Sequence, residues 1–294
     1  MASRSLSMSN LEQNLWLIIP PCADRNDWLA AVTPQAEAAG FSVVSANPDA
    51  KDAPIGKTLI LSRDADEARK AGALPKDVAV ILSDSGPLLP EIEVSDEPAQ
   101  RHSAVRNASE LTRRGHTFPP DRIFLAESFD GTPVEVLPGL KLLRPNASPP
   151  SHRNRALKEA FSLYATAQSF WGCEVFDINA KAVRYDDERA VLDLTGRPRI
   201  LIFGPYIVLP AGRWKAVVRL GFSTPAAKHL YRTDWGTQEL YTSYEFRPGR
   251  EGLFRIGFEY DWDRPAASEF RLLLLEGAFD GEVIFYGVEI TRLD

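Results

Sequence analysis

Two short stretches set an aromatic ring among charged side chains, Thr233-Asp-Trp-Gly236 and Tyr260-Asp-Trp-Asp-Arg-Pro265. A ring offers a flat apolar face. Asp234, Asp261, Asp263 and Arg264, beside Trp235 and Trp262, offer planar hydrogen-bonding groups, so each stretch suits a ligand with an apolar face and polar edges. The same residues fit a plainer role, as rings that cover the open end of a sandwich and an exposed Asp–Arg pair that contributes little. Arg232 and Gln238 are close by in sequence. Tyr241, Tyr244 and Tyr286 fall within strand-like runs, where they either line a concave face or pack behind it. Trp214, by alternation, belongs to the core.

Catalytic patterns are harder to find. His102, His116, His152 and His229 lack metal-ligand spacing, and Cys22 and Cys173 have no nucleophile signature around them. No G-x-S-x-G elbow, G-x-G-x-x-G fingerprint or G-x-x-x-x-G-K-[ST] loop occurs, which argues against the standard routes to nucleotide binding. Asp64-Ala-Asp66 matches the letters of a D-x-D metal motif, but it opens a helical run where acidic residues are expected anyway.

The elements that must position these residues come from two different compositions. Of 29 aromatic residues, 6 lie in residues 1–150 and 23 beyond, whereas proline runs the other way, 16 against 6. The net charge of −6 divides into about −5 and −1. Neither part has the basic surplus that nucleic acid demands, so no nucleic acid partner is expected. The apolar run Leu15–Ile19 is too short for a membrane span and stops at Pro20-Pro21. It is not followed by a leader-type cleavage site, so the chain is expected to be cytoplasmic at synthesis, with a later surface or released-particle location left open. Two cysteines in different halves suit a reducing compartment.

Residues 12–145 alternate short apolar strands with helices: strands at 15–19, 41–45, 58–62 and 78–83, and helices from Asn26 to Gly40, from Asp64 to Lys70 and from Ala99 to Arg114. This predicts a small Rossmann-like α/β domain with a parallel sheet. The close spacing of Arg122–Ala126, Val134–Leu137 and Leu140–Leu143 predicts antiparallel strands. Strand ends at Asp64 and at Asp84-Ser85 are where such a sheet would take a ligand, although turns and caps favour the same residues. Residues 146–170 form a proline-rich linker and a connecting helix. Residues 171–294 carry eight alternating runs separated by Gly and Pro turns, which predicts an antiparallel jelly-roll β-sandwich.

Phe203-Gly-Pro-Tyr206 followed by Leu209-Pro-Ala-Gly-Arg-Trp214, with the closing run Val283–Thr291, resembles carbohydrate-binding-module-like jelly rolls over residues 171–294, under half the chain. The resemblance implies a polysaccharide or oligosaccharide ligand held through Trp235, Trp262, Asp234, Asp261, Asp263, Arg264, Tyr241 and Tyr244. It also implies an association with bacterial polysaccharide assembly, such as capsule or exopolysaccharide. Jelly rolls of this kind often hold a structural calcium, for which Glu174, Asp177, Glu289 and Asp294 are the available carboxylates. No other cofactor is expected. A glycosidase needs two opposed carboxylates, and Asp261 and Asp263 lie side by side. The leading expectation is therefore a non-catalytic glycan-binding protein whose α/β domain docks it to a protein partner. Two others stay open: a glycosyltransferase-like enzyme of polysaccharide biosynthesis, and a subunit of a phage-like spike or fibre.

Overall fold

A computed structural model describes residues 14–46, 56–83, 98–146, 152–179, 183–186 and 189–294. The chain divides into two units, Met1–Asp84 with Arg114–Pro149, and Ser85–Arg113 with Pro150–Asp294. In chain order the elements run β1 (Asn14–Ile18), α1 (Arg25–Ala38), β2 (Ser42–Ser45), β3 (Thr58–Ser62), α2 (Ala65–Lys70), β4 (Val78–Leu82), α3 (Pro98–Gly115), β5 (Ile123–Leu125), β6 (Val134–Leu137) and β7 (Leu140–Leu142).

In the first unit the sheet order is β2-β3-β1-β4-β5, with every pair parallel. Central β1 is buried on both sides. Leu15 and Leu17 join Trp28 and Val32 in one core, and Trp16 and Ile18 join Ala65, Ala68 and Val80 in the other. Two covered faces explain why this run is continuously apolar rather than alternating. One expectation is corrected. The strand at 123–125 pairs in parallel with β4, through Val80↔Ile123, and only β6 and β7 form an antiparallel hairpin. A parallel partner needs a crossover of about a dozen residues, and the long connection from β4 supplies it, so the short step to β6 was irrelevant to how β5 pairs.

The second unit continues with α4 (His152–Phe161), α5 (Leu163–Thr166), β8 (Gln168–Trp171), β9 (Asp177–Ile178), β10 (Val183–Asp186), β11 (Arg189–Asp193), β12 (Arg199–Leu209), β13 (Gly212–Phe222), β14 (Tyr231–Gly236), β15 (Tyr241–Phe246), β16 (Gly252–Trp262), β17 (Ala266–Leu274) and β18 (Glu282–Arg292). One sheet has the order β10-β11-β18-β13-β16, with β8 also along β18; the other has the order β15-β14-β17-β12-β9. All these pairs are antiparallel. Alternation drives the burial: Trp214, Ala216, Val218, Leu220 and Phe222 of β13 point into one continuous core, while Arg213 and Lys215 are exposed. The architecture is an α/β unit plus an antiparallel β-sandwich.

Helix α3 was expected within the first domain, yet Ala104, Val105 and Ala108 join the sandwich core. The β12–β17 register shifts between Pro205 and Val208. There the Val208 N–H donates to Ser109 Oγ at 3.1 Å, and its carbonyl accepts from the Tyr164 hydroxyl at 2.7 Å. Two helices therefore satisfy backbone groups at an irregular point of the sheet.

Candidate binding site

Two turns and one helix enclose a cleft of about 560 Å³ at one end of the sandwich, lined by Arg106, Gln238, Glu239, Leu240, Tyr260, Trp262, Asp263 and Arg264. The turn after β14 is tight because residue 236 is glycine: a Cβ there would come within 2.2 Å of the Leu240 carbonyl oxygen. Thr237 then holds the turn. Its N–H donates to Leu240 O at 2.9 Å, and its Oγ1 accepts from Leu240 N at 3.1 Å. The opposite wall is the end of β16 and the turn through Pro265. Tyr260 and Trp262, two residues apart on a strand, share a face with ring centroids 4.4 Å apart.

Trp262 is only 3% exposed, and its Nε1–H meets no acceptor among the described residues. Asp263 and Arg264 stand exposed at the rim, as do Gln238, Glu239 and, from α3, Arg106. The lining thus combines two guanidinium groups, two carboxylates and an amide beside two rings. Such a set can receive a ligand with hydroxyls on its edges and an apolar face, and it is balanced in charge. Trp262, Asp263 and Arg264 were singled out from sequence, and Gln238 was noted only as close by. Arg106, Glu239 and Tyr260 were not singled out as ligand contacts; Arg106 is distant in sequence and reaches the cleft only because α3 packs on the sandwich.

The other named residues lie elsewhere. Trp235 lies near the end of β14, is fully buried, and donates from Nε1 to Ser268 Oγ at 2.9 Å. Its ring reaches no solvent. Asp234 is equally buried and accepts from Arg232 Nε and Ser243 Oγ at 2.7 Å and from Arg271 at 2.8 Å. Asp261 points to the face of β16 opposite Trp262 and is paired in register with Arg213. Tyr244 is half exposed on β15, with its ring 5.3 Å from Phe258. Tyr286 lies 6.0 Å from Arg189, and Trp214 is buried with its Nε1 donating to Pro210 O at 3.0 Å.

Tyr241 belongs to a polar row on the outer face of the second sheet. Its hydroxyl donates to Glu269, its ring lies 4.0 Å beneath the Arg271 guanidinium, and Tyr206 donates to Glu269 Oε1 at 2.7 Å. Burial and the Glu269 charge raise both phenol pKa values, so both hydroxyls remain donors. Tyr206 has φ = +66°. That left-handed conformation is costly for a residue with a Cβ and is held here by the Glu269 bond and by contact with the His102 ring. The sequence signal for this row is the i, i+2 pair Glu269 and Arg271 flanking the inward Phe270, although the inward Ser268 breaks a simple polar–apolar alternation.

The four carboxylates considered for calcium do not converge. Asp177 accepts from Arg101 at 2.7 Å and contacts His102 Nε2. Glu289 pairs with Arg219 and with Arg255, and Asp294 pairs with Arg292 at 2.7 Å. Glu174 is half-buried beside Gly172. Among the described residues no group of three or more His, Cys, Asp or Glu side chains is arranged for a metal. Asp64 caps α2 by accepting from Asp66 N at 2.9 Å, and Arg114 binds both acids, at 2.7 and 3.2 Å. Asp84 and Ser85 lie outside the described residues. Neither cysteine is in a disulfide, both are buried, and no described helix is long and apolar enough to cross a membrane.

No protein-family model and no curated protein matches this sequence. Solved structures with some likeness include the module TmCBM61 in complex with β-1,4-galactotriose (TM-score 0.31, 12% identity, covering 40% of this chain and 87% of that one). Another is the C-terminal CBM6 of LamC, a laminarinase from Zobellia galactanivorans (0.32, 13%, 42% and 99%). A third is the glycosylation-associated Gap123 complex from Streptococcus agalactiae (0.31, 10%, 86% of this chain and 49% of that one). Likenesses this distant carry no statement about what the chain does.

Proposed function

We propose that the β-sandwich binds an oligosaccharide segment of a bacterial surface polysaccharide in the cleft beside Trp262, without chemistry on it, and that the α/β unit docks the chain to a protein partner. The observation that carries this reading is the lining itself. The half-buried Tyr260, backed by the buried Trp262, walls a cleft of about 560 Å³ whose rim presents Arg106, Gln238, Glu239, Asp263 and Arg264. Sugars stack C–H faces on rings and give their hydroxyls to planar polar groups, and this combination suits them.

The test is glycan-array screening of the full chain, followed by isothermal titration of any glycan retained. Gln238→Ala and Arg264→Ala, both on exposed positions, should weaken binding about tenfold each while the thermal unfolding temperature stays put. An array without a bound glycan, or rim variants that bind as the parent does, would refute the proposal.

A further inference from the structure

The first unit has a pocket of its own. It measures about 280 Å³ and is lined by Arg25 and Leu29 of α1, Ser45 at the end of β2, Ser62 at the end of β3, Arg63 and Glu67. Arg25 follows shortly after β1, so the pocket lies at the carboxyl ends of three parallel strands, the edge at which open α/β sheets take ligands. Its volume suits a small molecule rather than a polymer.

The charges in the pocket are not balanced internally. Arg25 donates from Nε to the Ile19 carbonyl at 3.1 Å, and its terminal nitrogens meet no acceptor among the described residues. Arg63 is exposed, and among the described residues neither guanidinium has a carboxylate partner. The one acid in the lining, Glu67, is engaged: Ser62 Oγ donates to its Oε2 at 2.5 Å. Burial lowers the pKa of Arg25, and the nearby positive charge of Arg63 adds to the fall while Cys22 opposes it. Two guanidinium groups against the single Glu67 carboxylate leave the lining with a net positive charge, which an anion entering the pocket would offset.

The neighbouring start of α1 carries two acids, Asp24 at the N-cap position and Asp27 in the first turn. Asp24 makes no capping bond. Its carboxylate is drawn instead to Trp28 Nε1 at 3.1 Å and Ser83 Oγ at 2.6 Å.

We propose that this pocket binds a phosphate group, carried by a small phosphomonoester or as the free ion, between the Arg25 and Arg63 guanidinium groups with the Ser45 hydroxyl beside them. A tetrahedral anion offers separate oxygen pairs to two guanidinium forks, whereas a planar carboxylate is satisfied by one. The site is separate from the sandwich cleft and does not depend on what that cleft holds.

Isothermal titration of the full chain with glucose 1-phosphate, with orthophosphate and with acetate tests the proposal. One-site saturable binding of either phosphate compound is expected, with acetate much weaker; the tighter of the two identifies the source. Arg63→Gln should weaken that binding about tenfold, the loss of one charge-assisted hydrogen bond, with unchanged thermal unfolding and unchanged glycan binding. Arg25→Lys, which keeps the charge but loses the fork, should weaken it as well. Absence of saturable phosphate binding, equal affinity in both variants, or acetate binding as tightly as phosphate would each overturn the proposal.

Discussion

Trp235 and Trp262 lie with ring centroids 4.9 Å apart and yet face different surroundings. Trp235 is sealed between the sheets with its N–H satisfied by Ser268, whereas Trp262 closes the floor of a cleft with its N–H unmatched. Replacing Trp235 with alanine should therefore cost about 3–5 kcal/mol in urea unfolding, as large ring deletions from cores do. Asp263→Ala should stay within about 0.5 kcal/mol of the parent, because its side chain is exposed at the rim. Equal stability losses in the two variants would contradict this assignment. Residue types alone made the two tryptophans look alike, since both are followed or preceded by aspartate. The difference arises from Asp234: it is fully buried among Arg232, Ser243 and Arg271, whereas Asp263 has left the strand.

At the scale of elements, α3 is the piece whose attachment matters most. Ser109 Oγ is the acceptor for the buried Val208 N–H, so Ser109→Ala should cost about 1–3 kcal/mol by leaving that donor without a partner. Chemical denaturation checks it, and Ser109→Thr, which keeps the oxygen, should recover part of the loss. Asp177 fastens the other end of the helix. Burial pushes its carboxyl pKa up, but hydrogen bonds from His102 and Arg101 and their charges outweigh burial, so the net shift is downward. A folded-state pKa below the unfolded value stabilises the fold above the unfolded pKa, near 3.9, and that contribution is lost as pH falls through the folded value. Stability should therefore drop below about pH 4, and Asp177→Asn should lower stability at neutral pH by about 1.5–3 kcal/mol while flattening that acid-side slope. An acid slope identical in the variant would show that Asp177 does not hold the helix.

For the whole molecule, the division into units does not follow chain order. The second unit takes in Ser85–Arg113, which precedes the last part of the first. A fragment of residues 150–294 should consequently unfold several degrees below the same fragment carrying residues 85–113 through a short linker, since it lacks Ala104, Val105 and Ala108 from its core. Calorimetry on the two fragments measures this, and equal unfolding temperatures would remove α3 from the stability of the sandwich.

The fold class was written in local periodicity. Trp214 to Phe222 alternates because one face of β13 is buried, and Leu15 to Ile19 does not because both faces of β1 are. Those patterns follow from side-chain geometry within one element, so they are visible without knowing any partner. Tyr231 to Gly236 also alternates, but Thr-Asp-Trp-Gly carries turn-forming residue types that mask the strand. Only the pairing of β14 with β15 and β17 shows why its polar residues could face Arg271 and Ser243. The cleft was legible in part, through Trp262, Asp263 and Arg264, since strand-end loops announce themselves by composition. Arg106 was not legible, because it reaches the site through a packing contact between residues about a hundred positions apart. Periodicity specifies elements and which of their faces are apolar. Which buried face meets which, and hence whether a tryptophan is core or floor and to which unit a helix belongs, depends on long-range packing that no window of sequence contains.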